Sequence, residues 1–169
     1  MLREVGFDQA FTYAYSRREQ TYAGLFHQDD VPEPVKARRL AEVIDTFQAV
    51  AAERNRRIET GRLHVVLVEG LAKKSREDRV LWTGRTDTNK RVVFSDCKVL
   101  GSLTGEVASS LRHADASAIP AYLDTASESI HPGAYVVVKV LSVKGHTLRG
   151  SALAKTTIKE AHELNLYSL

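Results

Sequence analysis

The sequence predicts an α+β protein with a C-terminal five-stranded antiparallel OB-like β-barrel, and three observations lead to this prediction. First, residues 62–94 contain three short runs of β-branched and aromatic residues, separated by clusters of Gly, Asp, Asn and Ser. Second, two further runs, Tyr135–Val143 and Thr147–Lys155, flank Gly145, which suits the positive φ of a tight hairpin. Third, the number of runs, about five, is that of an OB-like barrel.

The first predicted element is a strand over residues 7–15, where Phe11, Tyr13 and Tyr15 alternate with smaller residues. It has no neighbour in sequence with which to form a hairpin, since a long helix follows. Unpaired strand N–H and C=O groups are unstable in water. The strand is therefore expected either to join another chain's sheet or to belong to a polypeptide that lacks its own beginning.

The helix is predicted to begin near Pro32 and to end at Gly61. Pro32 and Pro34 fit the first turn, where backbone N–H groups have no intrahelical partner, and Glu33 complements the positive end of the helix dipole. Apolar residues recur at three- and four-residue spacing and form one face. This face consists of Leu40, Val43, Ile44, Phe47 and Val50. The barrel alone offers it little surface, so a missing partner domain is implied.

Basic residues are concentrated in the predicted barrel. Residues 62–94 hold eight Lys and Arg against four Asp and Glu, and residues 134–159 hold five Lys and Arg with no acidic residue. The rest of the chain must be acidic, because the net charge of the whole is only +3. This distribution predicts a phosphate-binding surface, and the alternative for any one side chain is simple solvation.

Residues 96–133 differ in composition from the segments that flank them. They are rich in Ser and Ala and carry five acidic residues against two basic ones. We predict a long, flexible insertion between the third and fourth strands, with a short helix near Ile119–Leu123. Loops of this length are usually functional or disordered.

Cysteine and histidine usage predicts neither a disulfide framework nor a metal site. Cys97 is the only cysteine, and the six histidines lack zinc-ligand spacing, so each histidine is expected to be satisfied or solvated. There is no apolar run of the roughly 18 residues that a membrane span needs, and no signal-peptide pattern at the start. We therefore expect no membrane partner.

Short motifs in a fixed order run through the front of the chain. They are residues 7–16, Arg18, Thr21, Asp30-Val31-Pro32-Glu33, Val35-Lys36 and Arg39-Leu40. This series resembles the end of the radical S-adenosylmethionine (radical SAM) domain of the MiaB-type tRNA methylthiotransferases.

A second series lies in the predicted barrel. It consists of Val66-Leu67-Val68-Glu69-Gly70, Gly84-Arg85-Thr86, Val92-Val93-Phe94, Pro132-Gly133 and Thr147-Leu148-Arg149-Gly150. These motifs resemble the TRAM domain that follows the radical SAM domain in the same family. Residues 154–158 are most similar to the eukaryotic organellar branch, that of the cyclin-dependent kinase regulatory-subunit-associated protein.

The resemblance implies a division into three regions. Residues 1–60 would be the end of the radical SAM domain, a strand and a helix left from a parallel barrel. Residues 61–159 would be a TRAM RNA-binding barrel with a flexible insertion at 96–133, and residues 160–169 a tail. Met1 then falls at an interior position of the family, so the chain is expected to be a C-terminal piece, a truncated gene model or a split subunit.

The resemblance also implies a chemistry. Such enzymes hold two 4Fe–4S clusters, each on three cysteines, and use S-adenosylmethionine to insert a methylthio group into isopentenyladenosine beside the tRNA anticodon. Iron–sulfur clusters need several thiolate ligands, and this chain has one cysteine. We therefore expect it to bind no cofactor and to be inactive by itself. A location in mitochondria or another organelle follows from the resemblance alone.

Two sets of site residues follow. Strand ends of parallel barrels face the active site, so the resemblance implies that Tyr15, Ser16, Arg18 and Thr21 line the cofactor and substrate mouth; alternatively, this loop merely closes the barrel. RNA phosphate contacts are predicted for Lys73, Lys74, Arg76, Arg85, Lys90, Arg91 and Arg149. Trp82 could stack on a base, but its place within a strand favours the core.

Two functions remain open. The chain is either the RNA-binding C-terminal portion of a tRNA methylthiotransferase, which presents the anticodon arm to a missing catalytic region in cis or in trans, or a stand-alone non-catalytic RNA-binding or structural subunit.

Overall fold

The computed structural model describes residues 1–95, 98–101, 105–106, 109 and 128–166. It divides into two compact units, residues 1–54 and residues 55–169. The first unit contains helices α1 (Leu2–Val5) and α2 (Tyr22–Phe26) and most of helix α3 (Glu33–Glu59). Within the described ranges, no helix is long and apolar enough to cross a membrane.

Helix α3 has the bounds that the sequence predicts. Its first turn is closed by the amides of Val35 and Lys36, which donate to the carbonyl oxygen of Pro32. Gly61 follows its end with φ +85°, a conformation that glycine adopts without strain. The predicted apolar face is only partly buried, and Val43 is 38% exposed.

The strand predicted over residues 7–15 is wrong: this segment has an irregular backbone. Alternating aromatic residues give only a propensity for a strand, whereas a strand also needs a neighbour for its N–H and C=O groups. The described residues of the first unit offer no such neighbour, since their regular elements are helices. Phe11 and Tyr13 are consequently 81% and 82% exposed.

Five strands in the second unit form a closed ring in the order β1-β2-β3-β5-β4. The strands are β1 (Leu63–Leu71), β2 (Leu81–Thr86), β3 (Arg91–Ser95), β4 (Tyr135–Lys144) and β5 (Thr147–Thr156). Neighbouring strands are antiparallel except for β3 and β5, which are parallel. The α+β class and the five strands are confirmed. An entirely antiparallel ring is wrong for this one pair, because a closed ring with an odd number of strands cannot alternate in direction at every pairing.

The ring encloses the main hydrophobic core. It is built from inward-facing residues of β1, β3, β4 and β5 together with Val99 and Ile130 from the two ends of the predicted insertion. Its strand members are Val66, Val68, Val92, Phe94, Val136, Val138, Val140, Leu148 and Ala152. Trp82 packs against this core, as the sequence predicts.

A second hydrophobic cluster covers one side of the ring from outside. Helix α4 (Ile158–Glu163) begins with a capping box between Thr157 and Glu160, and it brings Ala161 and the following Leu166 onto the outer residues of β1, β4 and β5. Those outer residues are Leu63, Val65, Val137, Leu153 and Ala154. Residues 160–166, which the sequence places in a tail, thus pack on the barrel.

The described ends of the predicted insertion meet at the barrel. Val99 and Glu128 exchange two backbone hydrogen bonds, of 3.1 and 3.2 Å, and Leu100 pairs with β5 beside Ala154. The short helix predicted near Ile119–Leu123 lies outside the described residues.

Gly84 and Gly150 mark two points of close approach between strands. A Cβ atom at Gly84 would lie 2.4 Å from the carbonyl oxygen of Leu67, and one at Gly150 would lie 2.5 Å from that of Lys139. Backbone atoms cannot yield as a flexible side chain does, so any larger residue would force the strands apart.

We expect Gly84→Ala to lower the free energy of unfolding by about 2 kcal/mol, because the added methyl group displaces β1 from β2. Urea unfolding followed by the fluorescence of Trp82, the one tryptophan of the chain, measures this change. Ser95→Ala, at the exposed end of β3, is the control and should change the free energy by less than about 0.5 kcal/mol. Equal stabilities of the two variants would contradict the close approach.

Candidate nucleic-acid interface

Three of the predicted phosphate-binding residues lie together on the outer surface of neighbouring strands. Arg85 on β2 is directly opposite Arg91 on β3, which in turn is opposite Thr147 on β5. Arg149 lies two residues further along β5, opposite Val93, and therefore on the same side of the sheet. We call Arg85, Arg91 and Arg149 the basic face.

The basic face carries more positive charge than its neighbours compensate. The Nε atom of Arg85 lies 3.5 Å from Oε1 of Glu69, and its Nη1 donates to the carbonyl oxygen of Asn89 at 3.2 Å. Arg91 donates through Nε to the hydroxyl of Thr83, also at 3.2 Å. Like charges directly opposite each other destabilise a sheet. Arg85 and Arg91 thus place two positive charges on paired positions of neighbouring strands.

The loop between β1 and β2 carries Lys73, Lys74 and Arg76, all of them exposed. The backbone groups of Arg76 and Arg79 are joined by two hydrogen bonds, of 3.0 and 3.1 Å. Arg79, which the sequence analysis did not select, is thereby placed on the same turn. Its spacing of three residues from Arg76, across the polar pair Glu77 and Asp78, is the signal that could have identified it.

The end of β4, next to the turn that leads to β5, adds another basic residue that the sequence analysis did not select. Exposed Lys144 lies opposite Thr147, the same residue that lies opposite Arg91. Gly145, with φ +60°, allows this tight turn, as predicted. Position next to a predicted hairpin glycine is the signal that could have indicated Lys144.

Lys90 does not share this exposure, since its side chain is only 10% exposed. Its Nζ lies 2.6 Å from Oε1 of Glu59 and donates to Oδ1 of Asn55 at 2.8 Å. The charge of Lys90 is therefore compensated by a buried carboxylate from the end of α3.

Glu59 also contacts His64, so five polar residues meet beneath the β2–β3 turn. Glu59 Oε2 lies 2.8 Å from Nε2 of the fully buried His64, and Nδ1 of His64 lies 3.6 Å from Oδ1 of Asp87. The hydrogen bond to His64, and then the one to Lys90, lower the pKa of Glu59 to about 2 against the opposing effect of burial. We call Asn55, Glu59, His64, Asp87 and Lys90 the polar cluster. No three His, Cys, Asp or Glu side chains within the described ranges are grouped as metal ligands.

The residues predicted at a cofactor and substrate mouth lie on one segment of the first unit. Thr21 caps α2: its hydroxyl accepts a hydrogen bond from the amide of Gly24 at 3.1 Å and donates to the carbonyl oxygen of Arg18 at 2.8 Å. The Arg18 and Ser16 side chains are exposed. Arg17 fixes the conformation of this segment, because it donates two hydrogen bonds to the carbonyl oxygen of Gly24.

Tyr15, the fourth of these residues, lines a groove of about 580 Å³ between residues 11–15 and the start of α3. Its ring centroid lies 6.0 Å from Nζ of Lys36. Hydrogen bonds to Asp29 and Glu33 raise the pKa of Lys36, so it is a compensated cation. Ser16, Arg18 and Thr21 do not line this groove.

Comparison with known proteins identifies the relatives of this chain, although no family model matches it. It is 37% identical over 161 residues to the mitochondrial tRNA methylthiotransferase CDK5RAP1 of Mus musculus and 37% identical over 165 residues to that of Homo sapiens. Each alignment covers 95% of this chain, but 24% and 23% of the relatives. Over the part that it spans, the chain belongs to the tRNA methylthiotransferase family.

A bacterial methylthiotransferase shows the same relationship over a shorter range. The tRNA-2-methylthio-N(6)-dimethylallyladenosine synthase of Phocaeicola vulgatus is 47% identical over 94 residues, which cover 56% of this chain and 20% of that relative. The chain therefore spans about a quarter of the length of the curated methylthiotransferases that it matches. The motifs quoted from the sequence include Gly84 and Gly150, the two glycines at close strand approaches.

We expect Glu59→Ala to lower the free energy of unfolding by about 3 kcal/mol at neutral pH, because it leaves the buried ammonium group of Lys90 without its carboxylate and removes the polar partner of the buried His64 ring. The folded pKa of Glu59 is lower than the unfolded one. Its contribution is therefore complete above about pH 4.5 and is lost as the pH falls towards 2.

Urea unfolding at a series of pH values, followed by Trp82 fluorescence, tests this expectation. Glu77→Ala, which removes an exposed carboxylate in the β1–β2 loop, is the matched control and should have little effect. A difference between Glu59→Ala and wild type that stays constant from neutral to strongly acidic pH would contradict the buried ion pair.

Proposed function

We propose that this chain is the tRNA-binding C-terminal portion of a tRNA methylthiotransferase. In this proposal the complete enzyme methylthiolates isopentenyladenosine next to the anticodon by radical SAM chemistry, and this portion holds the anticodon arm. The observation that supports the proposal most strongly is the basic face, formed by Arg85, Arg91 and Arg149 on three neighbouring strands.

Among the described residues, the two hydrophobic clusters leave the basic face uncovered. Helix α4 covers the outer residues of β1, β4 and β5, including Leu63 and Val137. The Arg85 side chain, in contrast, is 45% exposed. Guanidinium groups bind phosphate through paired hydrogen bonds, which makes a row of exposed Arg85, partly buried Arg91 and exposed Arg149 suitable for an RNA backbone.

The loops next to the basic face extend it. OB-type barrels bind oligonucleotides with strands 2 and 3 and with the loops that join strands 1 to 2 and 4 to 5. In this chain those loops carry basic residues that are exposed. They are Lys73, Lys74, Arg76 and Arg79 in the first loop and Lys144, the last residue of β4, next to the second. Lys90 is the predicted contact with least support, because Glu59 compensates its charge.

Catalysis requires the part of the relatives that this chain does not span. A cluster held by three thiolates needs three cysteines, and the single Cys97 does not supply that ligand set. The proposed partners are therefore tRNA and a cluster-binding catalytic region, in cis or in trans, with Tyr15, Ser16, Arg18 and Thr21 directed towards its active site. Mitochondria are the proposed location, because the mouse and human relatives are described as mitochondrial.

A second candidate, a stand-alone non-catalytic subunit, is favoured by exposed aromatic residues of the first unit. Tyr22 and Phe26 on α2 are 73% and 67% exposed, with ring centroids 4.5 Å apart. Such a surface suits a protein partner. Sequencing upstream of the Met1 codon separates the candidates: an open frame with a Cys-x-x-x-Cys-x-x-Cys motif supports the first, and its absence supports the second.

We expect the full chain to bind an anticodon stem–loop RNA with an affinity that falls steeply as salt rises. Each neutralised phosphate of a single strand contributes about 0.7 to the slope of log K against log salt concentration. Changing Arg85, Arg91 and Arg149 to Ala should therefore reduce that slope by about 2. Fluorescence anisotropy of a labelled RNA measures the affinities.

The matched control removes three positive charges elsewhere, by changing Arg38, Arg57 and Lys159 to Ala; all three are exposed and lie outside the basic face. This control variant should retain nearly the whole slope of log K against log salt concentration. If both triple variants lost the same slope, binding would depend on net charge alone and the proposed interface would be wrong.

A further inference from the structure

One row of side chains crosses four neighbouring strands on the outer surface of the ring. Arg85 on β2 lies directly opposite Leu67 on β1, and Leu67 lies opposite Tyr135 on β4. Arg91 on β3, opposite Arg85, continues the row at its other end. Directly paired side chains share a face of the sheet, with Cβ atoms about 5 Å apart. The row therefore places an aromatic and an aliphatic side chain next to two arginines.

Leu67 and Tyr135 lie on the outer face of their strands. Their neighbours in sequence, Val66, Val68 and Val136, belong to the cluster inside the ring, and successive side chains of a strand alternate between its faces. Tyr135 is partly buried, because it packs against the outer cluster around α4. Leu67 belongs to neither cluster of the described residues and is 37% exposed. The apolar surface thus continues beyond the area that α4 covers.

An apolar surface next to guanidinium groups fits an unpaired RNA base. Proteins that bind single strands combine a basic surface for the backbone with aromatic side chains on which bases stack. Trp82, which the sequence offers for stacking, packs against the core instead. Leu67 is the direct neighbour of Arg85, so a nucleotide whose phosphate binds Arg85 can place its base over Leu67 and Tyr135.

We propose that Tyr135 and Leu67 form a stacking platform for one unpaired base of the RNA that binds the basic face. This inference rests on the proposed function. It adds a preference for unpaired RNA that the arginines alone do not give, since paired and unpaired strands carry the same phosphates. The bases of a duplex already stack on their neighbours and cannot occupy the platform.

The test compares two labelled RNAs, the anticodon stem–loop and a blunt duplex with the same number of phosphates, by fluorescence anisotropy with the full chain. Tyr135→Leu removes the ring but keeps an apolar side chain against the outer cluster. A stacked base contributes about tenfold in affinity. The variant should therefore bind the stem–loop about tenfold more weakly and the duplex as the wild type does. Its slope of log K against log salt concentration should be unchanged, because no charge is removed.

Three further variants separate stacking from a merely structural role. Tyr135→Phe keeps the ring and should recover the affinity that Tyr135→Leu loses. Tyr13→Leu makes the same exchange at an 82% exposed tyrosine of the first unit and should change neither affinity. Leu67→Ser alters the more exposed member of the platform. It should weaken stem–loop binding by about threefold, through the loss of apolar contact, and leave duplex binding unchanged.

Failure of the platform and failure of the proposed function give different results. Equal losses by Tyr135→Leu on the stem–loop and the duplex, no loss on either, or a smaller salt slope overturn the platform alone. Absence of RNA binding by the wild type, or binding that does not depend on the basic face, overturns both. Trp82 fluorescence shows whether each variant is folded. If Tyr135→Leu is unfolded, Leu67→Ser decides the question, and equal binding of the two RNAs by that variant and the wild type overturns the platform.

Discussion

The parallel pairing of β3 with β5 is the interaction on which the ring depends. Without it, both strands would be edges with unpaired backbone groups, which water or another chain would have to satisfy. The same pairing sets Val92 opposite Leu148 inside the barrel, where both are fully buried. On the outside it places Arg149 on the strand next to Arg91. Core and basic face are thus two sides of one strand pair.

The amino-acid pattern of each strand reflects whether one or both of its faces are covered. Leu63–Val66 in β1 and Val136–Val140 in β4 are buried without a break, because the core lies on one side and the cluster around α4 on the other. Strand β3 instead alternates between buried and more exposed residues. Continuous apolar runs are typical of strands covered on both faces, and alternation is typical of strands with one open face. In the part of the chain that the structure describes, the basic face lies on this more exposed side of β3.

Local patterns predicted the five strands, α3 and the hairpin at Gly145, because each depends on residues close in sequence. They could not predict the parallel pair, nor the irregular backbone of residues 7–15, because both depend on which partner a strand finds. Lys90 shows the same limit of prediction from local sequence patterns at the candidate interface. Its sequence neighbours resemble those of Arg91. Only the contact with Glu59, at the end of α3, distinguishes Lys90, whose charge is compensated, from Arg91.

The backbone pair between Val99 and Glu128 has a consequence for the entropy of the segment between these residues. It fastens the two ends of the intervening segment at one place on the barrel, through two hydrogen bonds and the buried Val99. The entropy of closing a loop grows only with the logarithm of its length, by about 0.6 kcal/mol for each doubling. The entropic cost of closing the segment between Val99 and Glu128 therefore depends only weakly on its length.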